Sequence, residues 1–343
     1  MGPAPEVAAV RNAVKACVAD LAPGELVLVG CSGGPDSLAL AAALAFVAPR
    51  AGLRAGGLTV DHGLQEGSAS RAASVAAAMS GLGLDPVRAI AVSVTGAGGP
   101  EAAARTARYD ALERAARELG AVAVLLGHTL DDQAETVLLG LARGSGPRSL
   151  AGMPASRGVF RRPLLTVRRP VTVAACGALG LGPWHDPHNA DRRFARVRVR
   201  LDALPALEAA LGPGVAEALA RTAGQLREDA EVLEKIASDE RSRMSDIFAF
   251  PSDMPRGVRG AIPPGDNGSS PMSADSLAVL PGAVRSRVLR SAALAAGCPA
   301  GALTAGHIAR IEELVTRWHG QRWIDLPGGV RATRRAGHLR FES

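Results

Sequence analysis

This 343-residue sequence predicts a doubly wound α/β domain built on a parallel sheet, followed by a smaller, mainly helical domain. Three observations lead there. Short apolar runs alternate with longer alanine-rich stretches of helical spacing through the first half of the chain. The polar motifs of that half all fall at the end of an apolar run or on the helix that follows it. Beyond them the composition shifts, with glycine and proline gathered between Gly180 and Asn189 and helical patterning thereafter. Strands buried on both faces read as unbroken apolar runs, and helices must carry the chain back between parallel neighbours, so this alternation selects a sheet covered on both sides. Ligands of such sheets collect beyond the carboxyl ends of the strands.

The first strand is expected over Leu26–Gly30 and the first helix of the pattern at 37–48, joined by Ser32-Gly33-Gly34-Pro35-Asp36-Ser37. A glycine-rich turn in that place grips phosphate. The first N–H groups of a helix have no partner within it, glycine lets the chain approach an anion closely, and Ser32 and Ser37 add hydroxyls. The turn is not a Walker loop, which ends in Gly-Lys-Ser/Thr and sets a lysine on the outer phosphates. A second strand, Gly57–Val60, ends at Asp61 and His62 and precedes a helix at 67–81. A third, Pro86–Val94, precedes a helix at 101–119, and a fourth, Val122–Gly127, ends at His128 and precedes a helix at 132–143. A strand-like Val159–Leu165 and a helix near 170–180 complete a first domain over residues 1–190. Residues 191–343 hold helices at 192–203 and 213–239, a Pro/Gly/Ser-rich loop over 249–276, helices at 282–296 and 304–318, and a closing β-meander of Arg322–Leu326, Val330–Arg335 and Leu339–Phe341.

Composition narrows the class further. With 47% hydrophobic residues the chain has ample material for a buried core, yet no uninterrupted apolar stretch long enough to span a membrane and no charged start leading into an apolar run. Neither a membrane protein nor a secreted one is expected. The four cysteines, Cys17, Cys31, Cys176 and Cys298, are widely separated and form no C-x-x-C pair, which suits a reducing cytoplasm. Only Lys15 and Lys235 are lysines, so nearly all positive charge is arginine. Residues 151–200 hold ten arginines against two aspartates, and their excess exceeds the net +6 of the whole chain. Such a cluster suits a polyanion, because the planar guanidinium matches phosphate.

Two further segments carry chemistry. His128-Thr129-Leu130-Asp131-Asp132-Gln133-Ala134-Glu135 opens a helix at a strand end. Acidic residues at a helix start answer the dipole, which accounts for one or two of them. Three, beside a histidine and opposite a phosphate loop, suit Mg²⁺ or an incoming amine. Upstream, Glu101, Arg105 and Arg108 share one helix face at spacings of four and three, so Glu101 can brace Arg105 while both arginines reach outward.

The loop SGGPDS (32–37) resembles the pyrophosphate loop of N-type ATP pyrophosphatases, which cleave ATP to AMP and pyrophosphate while activating an oxygen for attack. Together with VDHGLQ (60–65), EAAARTARYD (101–110), GHTLDDQAET (127–136), LARGSGP (141–147), RRPLL (161–165) and DPHN (186–189), the ordered set resembles the tRNA(Ile)-lysidine synthetases. The resemblance spans residues 32 to 189, and the tail is similar to that family's short form, with one C-terminal tRNA-facing domain. Val197 and His188 depart from it, standing where relatives often carry asparagine and a small residue.

The resemblance implies an adenine nucleotide alpha-hydrolase-like, PP-loop fold. It implies a reaction in which the C2 oxygen of a wobble cytidine attacks the α-phosphate of ATP and the ε-amine of free L-lysine then displaces AMP. The partner would be tRNA(Ile) with a CAU anticodon. Ser32, Gly33, Gly34, Pro35, Asp36, Ser37, Asp61, His62 and His128 would bind ATP, with Asp36 also holding Mg²⁺. Asp36, Arg105, Arg108, Asp131, Asp132 and Glu135 would be catalytic, the arginines stabilising phosphoryl charge and the last three holding lysine or metal. Arg192, Arg193, Arg196, Arg198 and Arg200 would contact tRNA. A homodimer is left open. Thiolation or amidotransfer on the same fold, and a non-catalytic tRNA-binding relative, are the alternatives. Paired cysteines or a glutaminase cysteine domain, which the first two would want, are not visible, and Asp36, Asp131 and Asp132, whose loss would mark the third, are present.

Overall fold

A computed structural model describes residues 2–63, 67–93, 100–144, 146–184, 186–246, 271–321 and 323–342, without the side chains of 100–102, 245 and 246. They divide into two compact units, Met1–Arg227 and Glu228–Ser343. The division falls later than position 190, so the arginine-rich run at 192–200 belongs to the first unit.

The first unit is built on β1 (Leu26–Gly30), β2 (Arg54–Asp61), β3 (Val87–Ala91), β4 (Ala121–Leu126), β5 (Ser156–Arg157) and β6 (Phe160–Arg161), in the spatial order β3-β2-β1-β4-β6-β5. All pairs are parallel except the β5–β6 hairpin. Its helices are α1 (Pro5–Cys17), α2 (Pro35–Arg50), α3 (Ser68–Gly81), α4 (Pro100–Leu119), α5 (Leu130–Ala142), α6 (Pro147–Leu150), α7 (Arg169–Ala178), α8 (Ala195–Arg198) and α9 (Leu204–Leu211). Residues of β1 alternate between two cores, as the period of a strand requires. Val27 and Val29 pack with Val10, Leu40, Leu44 and Met79 of α1, α2 and α3, while Leu26 and Leu28 pack with Leu112 and Ala116 of α4. The sheet is therefore covered on both faces. The chain moves outward from β1 to β2 and β3, then returns to place β4 on β1's other side, and the crevice at that reversal is where a ligand fits.

Three sequence expectations change here. Helix α1 was not foreseen, although Pro5 at its start and buried Val7, Val10 and Val14 have helical spacing. The strand expected over Val159–Leu165 stops after Arg161, and a single 3₁₀ turn from Pro163 to Thr166 follows, because proline has no N–H for a ladder. The helix expected at 192–203 starts at Ala195 and passes through a wide π-type turn, Val199–Ala203, into α9.

Helix α10 (Val215–Asp246) crosses the division between the units. The second unit adds β7 (Met272–Ser273), α11 (Ala274–Val279), α12 (Gly282–Ala295), α13 (Ala305–Thr316), β8 (Trp323–Asp325), β9 (Arg331–Arg335) and β10 (His338–Glu342). Its antiparallel sheet, ordered β7-β10-β9-β8, covers Val288, Leu289, Ile311 and Leu314 of α12 and α13. The loop expected over 249–276 is corrected at its end. Met272 is buried against this core and the Ser273 hydroxyl accepts from Ser276 N–H to start α11, while 249–270 and Arg322 lie outside the described residues. Among the described residues no helix is long and apolar enough to cross a membrane.

Candidate active site

A cavity of about 730 Å³ opens at the carboxyl ends of β1 and β4. One wall is the turn from β1 to α2. Gly33 holds φ +86°, and a Cβ there would come within 2.7 Å of Val75, so glycine is required both for the turn and for the fit. Its carbonyl accepts from Trp184 N–H at 2.9 Å. The Ser37 hydroxyl donates to Gly34 O at 3.0 Å and accepts from Ser32 N–H at 3.2 Å, which folds the loop over the helix start. No side chain caps α2, and Pro35 occupies its first turn, so its leading N–H groups remain for an anion. Gly127 brings β4 against this start, where a Cβ would lie 3.1 Å from the backbone of Asp36 and Ser37.

A second wall is charged in both senses. Thr129 caps α5 with a reciprocal box, its N–H and hydroxyl donating to Asp132 Oδ2 at 2.8 and 2.9 Å. Arg169, at the start of α7, reaches Asp36 at 3.2 Å, Asp132 at 2.9 Å and Glu135 at 3.3 Å. Arg200 binds Glu135 at 2.6 Å and Arg196 lies 3.4 Å from it, so a fully buried carboxylate has three guanidinium partners. Burial alone would raise the Asp132 pKa, but the Arg169 charge and the Thr129 N–H outweigh it and hold it low. At Asp36 burial prevails over Arg169, and its carboxyl is pushed up.

The third wall carries cations that reach no carboxylate among the described residues. Arg105 donates to the Tyr109 hydroxyl at 3.5 Å, Arg162 donates to the same oxygen at 3.4 Å, and Arg108 lies over the Tyr109 ring. Burial pulls the Arg108 guanidinium below its ordinary value. His128 faces this group, and burial, with Arg108, Arg162 and Arg105, lowers it to about 3. His62 is lowered by burial and by Arg108, so both imidazoles are neutral at physiological pH. Both have a buried Nδ1 without a partner among the described residues. Asp61 is held low, first by Gly63 N–H at 2.9 Å.

Ser32, Gly34, Pro35, Asp36, Ser37, Asp61, His62, Arg105, Arg108, His128 and Asp132 thus line one cavity. Gly33 shapes it from behind. Asp131 and Glu135 do not line it: Asp131 accepts from Arg169 N–H at 2.7 Å and from Arg168 at 3.2 Å, and Glu135 lies beneath its arginines. The basic run splits. Arg196 and Arg200 line the cavity, whereas Arg192 pairs with Asp202, Arg193 with Asp191, and Arg198 donates to the carbonyls of Arg192 and Arg193. The brace from Glu101 and the place of Gln65 lie outside the described residues.

Sequence reasoning missed Arg169, Thr172 and Tyr109. Arg169 stands in the sequence only as one arginine of a field, and the signal for its role is an acidic cluster whose expected cation, Mg²⁺ or lysine, comes from outside the chain. Trp184 lines the cavity with Arg71 packed 4.2 Å over its ring. Six arginines and four aspartates line the whole, so the site favours anions.

Comparison with known proteins agrees with this geometry. Residues 7–207 match the PP-loop domain family, and residues 272–340 match the TilS substrate binding domain. The tRNA(Ile)-lysidine synthase of Thermobifida fusca is 55% identical over 98% of both chains. That of Streptomyces coelicolor is 51% identical over 99% of both, and that of Salinispora tropica 53% identical over 98% of this chain and 96% of its own. Among solved structures, the U34-tRNA thiolase NcsA from Methanococcus maripaludis, with its [4Fe-4S] cluster, superposes with a TM-score of 0.55 over 65% of this chain and 80% of its own. At 20% identity that likeness concerns the fold alone. A PP-loop cavity of this composition, within a chain so similar to these relatives from end to end, belongs to a member of the tRNA(Ile)-lysidine synthase family.

Proposed function

We propose that the protein joins free L-lysine to C2 of the wobble cytidine of the tRNA(Ile) that bears a CAU anticodon, at the expense of ATP. The cytosine C2 oxygen attacks the α-phosphorus and pyrophosphate leaves. The lysine ε-amine then attacks C2, and AMP departs with the former C2 oxygen. The observation that carries this reading is one cavity holding an uncapped helix start beside Arg105 and Arg108, two cations with no carboxylate among the described residues.

Each step finds its groups. The N–H groups between Ser32 and Ser37 receive the outer phosphates. Arg105 and Arg108, fixed before substrate arrives, answer charge developing on the transferred phosphoryl group. Neutral His62 and His128 can each donate one hydrogen bond and accept another, and add no charge. The amine must lose its proton before it attacks. The surplus of arginine over aspartate in the cavity favours the uncharged amine, and Asp132, held ionised at the edge of that space, supports the reading as a carboxylate with a lone pair left to accept from the amine. Exposed Arg192 and Arg193 remain for the tRNA backbone. The dispersed, unpaired cysteines accord with a cytoplasmic reaction.

Mg²⁺, which the pyrophosphatase resemblance implies, does not fit these side chains as arranged. Both Asp36 oxygens are engaged, by Arg169 and Thr172, and no group of three or more His, Cys, Asp or Glu that could hold a metal ion occurs among the described residues.

The deciding assay combines the purified protein, a transcript of the AUA-reading tRNA, ATP and radiolabelled lysine. Label is expected in that transcript and not in a methionine tRNA control. Absence of label, or equal labelling of both, overturns the reading.

A further inference from the structure

One guanidinium touches carboxylates from two helices. Arg169 Nε lies 3.2 Å from Asp36 Oδ2 at the start of α2, Nη2 lies 2.9 Å from Asp132 Oδ1, and Nη1 lies 3.3 Å from Glu135 Oε1 on α5. The other oxygens of the three acids are also in use. Asp36 Oδ1 accepts from the Thr172 hydroxyl, Asp132 Oδ2 from Thr129, and Glu135 Oε2 from Arg200 at 3.1 Å. We propose that Arg169 is a built-in cation that takes the place of a divalent ion among Asp36, Asp132 and Glu135, whose carboxylates, spread around its guanidinium, form no metal group as they stand, so that the nucleotide-free protein binds no metal there.

The physical grounds are geometric first. Mg²⁺ requires oxygens at about 2.0–2.1 Å in near-octahedral order and gives up its waters reluctantly. A guanidinium is weakly hydrated and planar, and its donors match carboxylate oxygens at ordinary hydrogen-bond distance. Arg169 is tethered as well, because its own N–H is bonded to Asp131 at 2.7 Å, so it occupies that place without a loss of translational freedom. Burial works against its charge, but Asp132, Asp36 and Glu135 outweigh that and hold it more firmly protonated than an ordinary arginine. An ion could enter only by expelling a charged, tethered competitor from a half-buried site. A divalent ion used by the enzyme would then arrive on the nucleotide's phosphates. The inference concerns the protein before nucleotide binds and stands apart from which base or amine it acts on.

Mn²⁺ reports this directly, since its sharp electron paramagnetic resonance lines vanish when the ion is bound. Titrated without nucleotide, the wild-type chain is expected to leave the lines at their free amplitude, and so is Arg169→Lys. Arg169→Met is expected to remove most of the signal at equimolar ion, and the double variant Arg169→Met/Asp36→Asn to restore it. Loss of signal with the wild-type chain overturns the proposal. So does a folded Arg169→Met that leaves the lines unchanged, or a double variant that still quenches them. Should Arg169→Met fail to fold, Arg169→Gln, which keeps amide donors without the charge, takes its place with the same expectations.

Discussion

Two sets of arginines face the same cavity on opposite electrostatic terms. Arg169, Arg196 and Arg200 each reach a carboxylate within 3.4 Å, and Glu135 beneath them is fully buried. Arg105 and Arg108 reach only the ring and hydroxyl of Tyr109 among the described residues. The contrast separates architecture from reception. A cation already neutralised by the fold ties elements together, here α2, α5, α7 and the run from Ala195 to Ala203. A cation left without a counter-charge costs the folded state energy that an arriving phosphate repays.

The contrast is broken most directly by removing one member of each set. Arg200→Met leaves a buried Glu135 with its closest pairing gone, and unfolding of the first unit is expected to lose about 3 kcal/mol, read as a lower urea midpoint. Arg108→Met removes a buried cation that has no carboxylate among the described residues, so its midpoint should match or exceed the wild type while turnover falls by about 10²–10³-fold. The distinction fails if Arg108→Met destabilises as much as Arg200→Met, or if it turns over normally.

His128 sharpens the same distinction through pH. Its folded pKa, lowered to about 3 by burial and by Arg108, Arg162 and Arg105, lies below the unfolded value of about 6.5. Between those values the unfolded chain takes up a proton that the folded chain refuses, so stability climbs as pH rises through the interval and levels off above it. His128→Gln should flatten that climb by about 1.4 kcal/mol per pH unit, measured by denaturant unfolding between pH 5 and 6. Asp132, held low, contributes stability that is lost only in stronger acid, outside this window. An unaltered slope would mean that His128 titrates alike in both states.

How much of this could be read from the sequence depends on the range over which each feature is determined. The turn from β1 to α2 was legible because its glycines, serines and aspartate follow an apolar run immediately, and local chemistry fixes what they do. Strands β1, β2 and β4 were legible for the same reason. Arg169 was not, because its role exists only once the start of α7 approaches α2 and α5, and neither periodicity nor an adjacent arginine records that approach. Arg196 and Arg200 were partly legible. Their spacing of four puts them on one helical face and Arg198 on another, yet charge counting merged all three into a single surface. Pro163 carried the information that the segment from Val159 would not stay a strand, and the apolar run around it concealed that.

The smallest effect concerns Tyr109, the sole tyrosine of the chain, through which Arg105, Arg108 and Arg162 are coupled. Its hydroxyl oxygen accepts from Arg105 and Arg162, and its ring packs edge-on against Phe160 at 5.0 Å. Burial would raise the phenol, but the Arg162 hydrogen bond and the charges of Arg105, Arg162 and Arg108 overcome that and hold it below the ordinary tyrosine value. Because no other tyrosine titrates, near-ultraviolet phenolate absorbance follows this group alone. Its midpoint is expected below about 10. Arg162→Met should move it upward, while Arg88→Met, which removes an exposed ion pair with Glu118, should leave it in place. A wild-type midpoint at or above the ordinary value would show that these guanidiniums exert no net field at the phenol, and with that the surplus positive charge assigned to this wall of the cavity would lose its support.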